Sequence, residues 1–204
     1  NGESKMETKT IATVAVSVLV GVLAVCWYIG LFSPIKYKLR ETSSKHVVFK
    51  RSTGPYNGTY KVCMEVEAIL KKHNVNCDVG FGLYYSDPKT VPKEDLRWLV
   101  GNVVTEAEAK ALDGVEGLEA GILQGGTKIG VHMPCRTMLS IIVNIMRVYP
   151  KSCDYIVPME EEMVKEGKDR LCAEGVPEEE YGITEVYEKN SHDFLWFGRI
   201  LPLE

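Results

Sequence analysis

The sequence predicts an α+β domain held behind one transmembrane helix. Three observations carry this: an uncharged apolar run from Ile11 to Phe32, a strand-helix-strand-strand order from His46 onward, and the return of that order after Leu118. Two β-α-β-β units in tandem imply one antiparallel sheet with the helices on one face. The expected organisation is a stub at 1–10, a membrane helix at 11–32, a tether at 33–45 and a domain at 46–204.

As a helix, the 22 residues from Ile11 to Phe32 reach about 33 Å at 1.5 Å per residue, against a hydrocarbon core of roughly 30 Å. Trp27, Tyr28 and Phe32 suit the headgroup boundary, and Pro34 is expected to stop the helix. Lys36, Lys38, Arg40, Lys45, Lys50 and Arg51 follow it against the single Glu41, whereas Lys5 and Lys9 are balanced by Glu3 and Glu7. That asymmetry places the domain in the cytosol and the stub in the lumen. The competing reading is a cleaved signal peptide ending at Ala24-Val25-Cys26, with a secreted domain glycosylated at Asn57-Gly58-Thr59. Against it, the apolar run continues past the cut, and cleavage after Cys26 leaves an odd number of cysteines.

Residues 33–45 are polar and read as a tether. His46–Arg51 is the first strand, and Gly54-Pro55-Tyr56-Asn57-Gly58 is a turn. Thr59–Lys72 then puts Val62, Val66 and Ile69 on one helical face. Val79–Tyr85 and Leu96–Val104 are strands joined through Ser86-Asp87-Pro88. Thr105–Gly117 reads as a Gly- and Glu-rich connection, followed by a strand from about Leu118 to Met133 and a helix from Arg136 to Arg147 that Pro150 ends. An acidic segment with helical period spans Met159–Glu180, and strands at Gly182–Tyr187 and Phe194–Leu203 close the domain.

Composition narrows the function classes. With 45% apolar and 25% charged residues the chain is built to fold, and a net charge of −4 without a basic block argues against nucleic acid as a partner. The six cysteines form no C-x-x-C pair and the four histidines are scattered, so neither a metal nor another cofactor is signalled.

Gly82-Leu83-Tyr84-Tyr85-Ser86-Asp87-Pro88, Val91-Pro92 and Leu96-Arg97-Trp98-Leu99-Val100-Gly101 resemble the signature of GyrI-like domains. Glu185-Val186-Tyr187 resembles the E-x-Y strand of their second half, and Pro134 to Ile141 the start of their second helix. The resemblance covers residues 46–204 and implies a duplicated β-α-β-β fold with a pocket for cationic aromatic molecules; some members resemble hydrolases of strained electrophiles. With the leading apolar helix, the chain resembles the membrane-anchored testis-expressed protein 264 group. That implies a receptor or adaptor in endoplasmic-reticulum autophagy, sited in that membrane. Its Atg8-family partners would bind a disordered tail that the receptor reading expects beyond Glu204. Phe197-Gly198-Arg199-Ile200 fits the Atg8-binding pattern in letters but falls inside the last expected strand.

Glu185 is the sharpest site candidate, because strand alternation puts its carboxylate on the same face as Ile183 and Tyr187. A cationic ligand ringed by Tyr187, Trp98, Tyr84, Tyr85 and Trp196 would compensate a charge buried there. The plainer alternatives are a solvated Glu185, or one paired with Arg97 or Arg199, with the aromatics as ordinary core. In the hydrolase alternative Glu185 is a general base. No Ser-His-Asp spacing or nucleophile elbow offers another mechanism, so enzymatic activity is not indicated.

Overall fold

The computed structural model describes residues 2–165, 180–188 and 190–203. The chain opens with α1 (Gly2–Tyr28) and continues with β1 (Lys38–Thr42), β2 (Lys45–Thr53), α2 (Thr59–Lys72), β3 (Gly80–Tyr84) and β4 (Arg97–Val103). After α3 (Glu106–Leu112) come β5 (Glu119–Leu123), β6 (Gly126–Cys135), α4 (Met138–Lys165), β7 (Gly182–Glu188), β8 (Asn190–Gly198) and β9 (Ile200–Leu201).

All nine strands form one antiparallel sheet in the order β1-β6-β8-β7-β3-β4-β2-β5-β9. Its centre is symmetric: β6-β8-β7 of the second half mirrors β2-β4-β3 of the first, and the halves meet along β3 and β7. Residues paired across strands share a face, so Met133, His192, Tyr187, Gly80, Asn102 and Val48 form one row across that face. Helices cover it. α2 and α3 bury Val66, Ile69, Leu70, Ala109 and Leu112 around Val48, while α4 buries Val148 and Ile156 against Ile129, Val131 and Met133.

The opposite face is closed by the sheet itself. β8 and β9 are one residue apart in sequence yet lie far apart in the strand order, so the sheet curls into a half-barrel to join them. Leu195 of β8 and Ile200 of β9 accordingly pack on one cluster with Val47, Phe49, Phe81, Leu83, Leu99 and Leu123.

Several elements depart from expectation for identifiable reasons. The segment 33–45 carries an edge strand, β1, whose Leu39 is its one apolar residue, so no alternation announces it. The connection 105–117 contains α3, started by a capping box between Thr105 and Glu108. The strand expected from Leu118 to Met133 is two strands, β5 and β6, and the last one is divided into β8 and β9 around Arg199. Pro150 does not end α4, which continues through it and through Pro158 to Lys165. Both prolines lie on the exposed side, where the carbonyls they leave unpaired face solvent. Of the acidic segment, residues 166–179 lie outside the described residues.

α1 begins at Gly2, so residues 2–10 of the expected stub at 1–10 are part of the helix. It stops at Tyr28, ahead of Phe32 and Pro34. Gly30, at φ +84°, turns the chain while Leu31 N–H donates to Cys26 O (2.9 Å) and Gly30 N–H to Trp27 O (3.1 Å). Its segment Lys9–Tyr28 is long and apolar enough to cross a membrane and is not buried against the domain; the same features fit a signal sequence.

Candidate functional site

Glu185 sits at the seam of the two halves, in the row Val131, Phe194, Glu185, Gly82, Val100 and Lys50 on the helix-covered face. It is 2% exposed, so its carboxylate is inside the protein. Opposite it, Gly82 has no side chain, and the Tyr84 ring folds back into that space: a Cβ on Gly82 would lie 2.8 Å from the Tyr84 hydroxyl. A glycine facing a glutamate thus opens room for a phenol beside the charge.

Three side chains bond the carboxylate. The Tyr149 hydroxyl donates to Oε1 (2.5 Å), the Tyr187 hydroxyl to Oε2 (2.5 Å), and His192 Nε2 lies 2.8 Å from Oε2. Tyr187 and His192 come from sheet strands and stack at 4.6 Å between ring centroids, while Tyr149 comes from α4. Phe194 closes the base, 4.1 Å from the His192 ring and edge-on to Tyr149 at 5.6 Å. Tyr84 joins through hydrogen bonds with Tyr187 and Thr59, and Tyr56 packs edge-on to Tyr84 at 5.0 Å. The group therefore spans from the start of α2 to the middle of α4.

The electrostatics follow from burial. Desolvation, then the nearby Glu185 charge, pushes the phenols of Tyr149 and Tyr187 well above the ordinary tyrosine value, and that of Tyr84 above it. Tyr56 is pushed up to about 12, chiefly by burial. These hydroxyls stay protonated near neutral pH; those of Tyr149 and Tyr187 donate to the carboxylate, and that of Tyr56 to Ser86 O. No lysine or arginine pairs with Glu185 among the described residues. His192 is fully buried and its Nδ1 has no partner there. Because a carboxylate oxygen can only accept, Nε2 is the ring nitrogen that donates to Oε2.

Of the residues singled out in the sequence, Glu185, Tyr187 and Tyr84 come together in this group. Trp98 shares the face, but its indole N–H is committed to Gly54 O (2.9 Å) and its ring lies against Gly58. Trp196 is also on this face, packed with Tyr37 and Phe194 under α4. Tyr85 is a correction to the expected ring of aromatics. As the neighbour of Tyr84 in an extended chain it points to the opposite face, beneath Arg97 at 5.9 Å. The alternative partners for Glu185 are also placed elsewhere: Arg97 lies over Tyr85, and Arg199 pairs with Glu180 at 3.0 Å.

Sequence reasoning missed Tyr149, His192 and Phe194. Tyr149 lies just past the helix expected over Arg136–Arg147, and His192 lies outside a strand begun at Phe194. The alternation His192-x-Phe194-x-Trp196 was the available signal. Phe197 and Ile200, the ends of the Atg8-pattern run, belong to β8 and β9, and Ile200 pairs with Leu123, so the run is built into the sheet.

No family model matches the sequence, and no curated protein matches it. Solved structures with a similar chain course include the EcmrR C-terminal domain, with 12% identity over 81% of this chain and 98% of that one, at a TM-score of 0.48. EcmrR in its DNA complex is 10% identical over 96% of this chain and 69% of that one, at 0.49. SAV2435 bound to tetraphenylphosphonium is 9% identical over 80% and 94% of the two chains, at 0.45.

Proposed function

We propose that this chain is a membrane-anchored binding module whose buried Glu185 receives an organic cation with aromatic surface. The observation that carries the reading is the Glu185 carboxylate itself, buried among phenols and an imidazole with no lysine or arginine paired to it among the described residues. Hydrogen bonds stabilise such an anion, but a cation that brings its own charge into the low-dielectric site compensates it more fully. Phe194, Tyr84 and Tyr149 supply faces and edges for cation-π contact. Two of the carboxylate's partners are fixed in the sheet, so α4 with Tyr149 is the wall that must give way to a ligand.

Binding is favoured over hydrolysis because three hydrogen bonds, two of them on Oε2, leave the carboxylate one lone pair on Oε1, and with Glu185 2% exposed that one does not meet bulk water. A general base needs a free lone pair aimed at a water.

The test is thermal unfolding of the full chain in detergent with tetraphenylphosphonium, and with tetraphenylborate as a probe of the same shape and opposite charge. A hundredfold excess over Kd stabilises the folded state by about 2.7 kcal/mol. The phosphonium is expected to raise Tm by several degrees, the borate to leave it unmoved, and Glu185→Gln to abolish the phosphonium response. Equal shifts from both ions, or in both proteins, would sink the reading.

The resemblance to GyrI-like domains behind an apolar helix supports a finer reading: a cytosolic-facing receptor or adaptor in endoplasmic-reticulum autophagy. The positive flank at residues 33–51 supports that orientation. Digestion of the domain by protease added outside sealed microsomes is the expected result; protection, with a glycan on Asn57, would replace this reading with secretion.

A further inference from the structure

The start of α4 is turned inside out. Its polar residues face the protein: Ser140 is 1% and Asn144 0% exposed, with Asn144 Nδ2 donating to Pro134 O at 3.0 Å and Ser140 N–H donating to Thr137 Oγ1 at 3.2 Å. Four of its apolar residues face outward, with Met138 58%, Leu139 49%, Ile142 52% and Met146 71% exposed, while Ile141, Val143 and Ile145 are half-buried. Met138, Ile142 and Met146 are spaced by four, so they form one continuous stripe over little more than two turns. A helix stabilised only by its own domain would present the reverse polarity.

The same turns are fastened to the end of α1. Arg136 donates to Tyr28 O (2.8 Å) and lies over the rings of Trp27 and Tyr28, at 5.5 Å from each. Arg147 bridges Gly30 O (2.8 Å) and Ser33 O (2.7 Å), and the turn at Gly30 rests on Pro134. These bonds hold α4 beside the place where the apolar helix ends. Just beyond, Lys36 and Lys38 line an open groove of about 450 Å³ with Ser33, Pro34, His132 and Pro134. Neither lysine meets a carboxylate among the described residues.

From these we infer that α4 from Met138 to Met146 lies in the interfacial layer of an anionic phospholipid membrane, beside the anchor, with Lys36 and Lys38 at the lipid phosphates. The inference rests on the reading of Lys9–Tyr28 as a membrane span. Apolar side chains on one face with cations at its border are what an interfacial helix requires. It also ties the membrane to the site, because Tyr149 follows Met146 on the same helix by less than one turn.

The experiment uses the full chain in vesicles of phosphatidylcholine and phosphatidylserine, with a benzophenone amino acid replacing Ile142, Met146 or, as control, Lys110 on the exposed side of α3. After illumination, mass spectrometry identifies what each position has captured. Phospholipid adducts at 142 and 146 are expected in at least about tenfold excess over those at 110. Lipid capture no greater than at 110, or capture of a second copy or of another part of the chain instead of lipid, overturns the inference. Washing the vesicles at alkaline pH separates the premises: a chain that is washed off overturns the anchor and this inference together. A chain that stays but captures no lipid overturns this inference alone.

Discussion

Above about pH 10.5 the domain is expected to lose stability at about 4 kcal/mol per pH unit through three tyrosines alone, Tyr84, Tyr149 and Tyr187. In the unfolded chain each phenol titrates near pH 10. In the folded protein all three are raised, by burial first and by the Glu185 charge next. A raised folded value means that the stability is intact below the unfolded value and is lost as pH climbs through it toward the folded one. In that window the native state holds protons that the unfolded state has released. Each such group contributes a slope of about 1.4 kcal/mol per pH unit. Urea unfolding midpoints of the full chain in detergent from pH 8 to 12 measure this. Lysines titrate in the same range, so the comparison is with Tyr149→Phe combined with Tyr187→Phe, which leaves them in place. The double variant is expected to be less stable at pH 8 but to lose stability less steeply, by about 2.7 kcal/mol per pH unit. Parallel slopes would show that these phenols titrate alike in the folded and unfolded chain, and the buried network would have to be abandoned.

That network shows where sequence reasoning reaches and where it stops. Strand alternation alone put Glu185 and Tyr187 on one face, and the helix pattern of Thr59–Lys72 matches α2 at both ends. α2 carries a strong period because it buries one face only; β7 buries Glu185 on one face and Thr184 and Val186 on the other, so there the strict alternation of an extended chain assigns the faces. The second half was harder to read. α4 keeps its helical period through two prolines, yet a proline is ordinarily the strongest stop signal a sequence contains. Stopping the helix at Arg147 ahead of Pro150 left Tyr149 outside it. β1 escaped because an edge strand next to water needs little apolar character. Tyr85 was grouped with Tyr84 because adjacency in sequence was allowed to outweigh alternation, although alternation had already assigned Glu185.

The inverted polarity of α4 belongs to the same lesson. Met138, Leu139, Ile142 and Met146 look in sequence like the core side of a helix, and Ser140 and Asn144 like its wet side. Only the register against β6 shows the opposite, since Asn144 reaches the Pro134 carbonyl and Val148 is the first fully buried apolar residue of the helix. A periodic pattern reports that a helix has two faces. Which of them meets the protein depends on what else takes the apolar one, and the membrane inferred above is such a partner.

Gly101→Ala is expected to destabilise the domain by at least about 3 kcal/mol, a larger cost than ordinary overpacking because the obstacle is backbone. Gly101 is on β4, flanked in register by Phe49 on β2 and Phe81 on β3, and all three face the interior of the half-barrel. A Cβ at this position would fall inside the Val48 carbonyl oxygen and 2.7 Å from Phe49 Cα. Neither atom can rotate away as a side chain can, so the β2–β4 ladder must open or the curl of the sheet must flatten. The damage would then reach the site, since β4 also pairs with β3 and so positions Gly82 opposite Glu185. Gly58→Ala is the control: Gly58 has helical φ −75° and ψ −15°, and its Cβ would only touch Trp98 at 3.7 Å. Urea unfolding of both variants decides the matter. A Gly101→Ala protein as stable as the Gly58→Ala protein would mean that the close approach of β2 and β4 is not needed. The curl that seats Glu185 between the two halves would then need another cause.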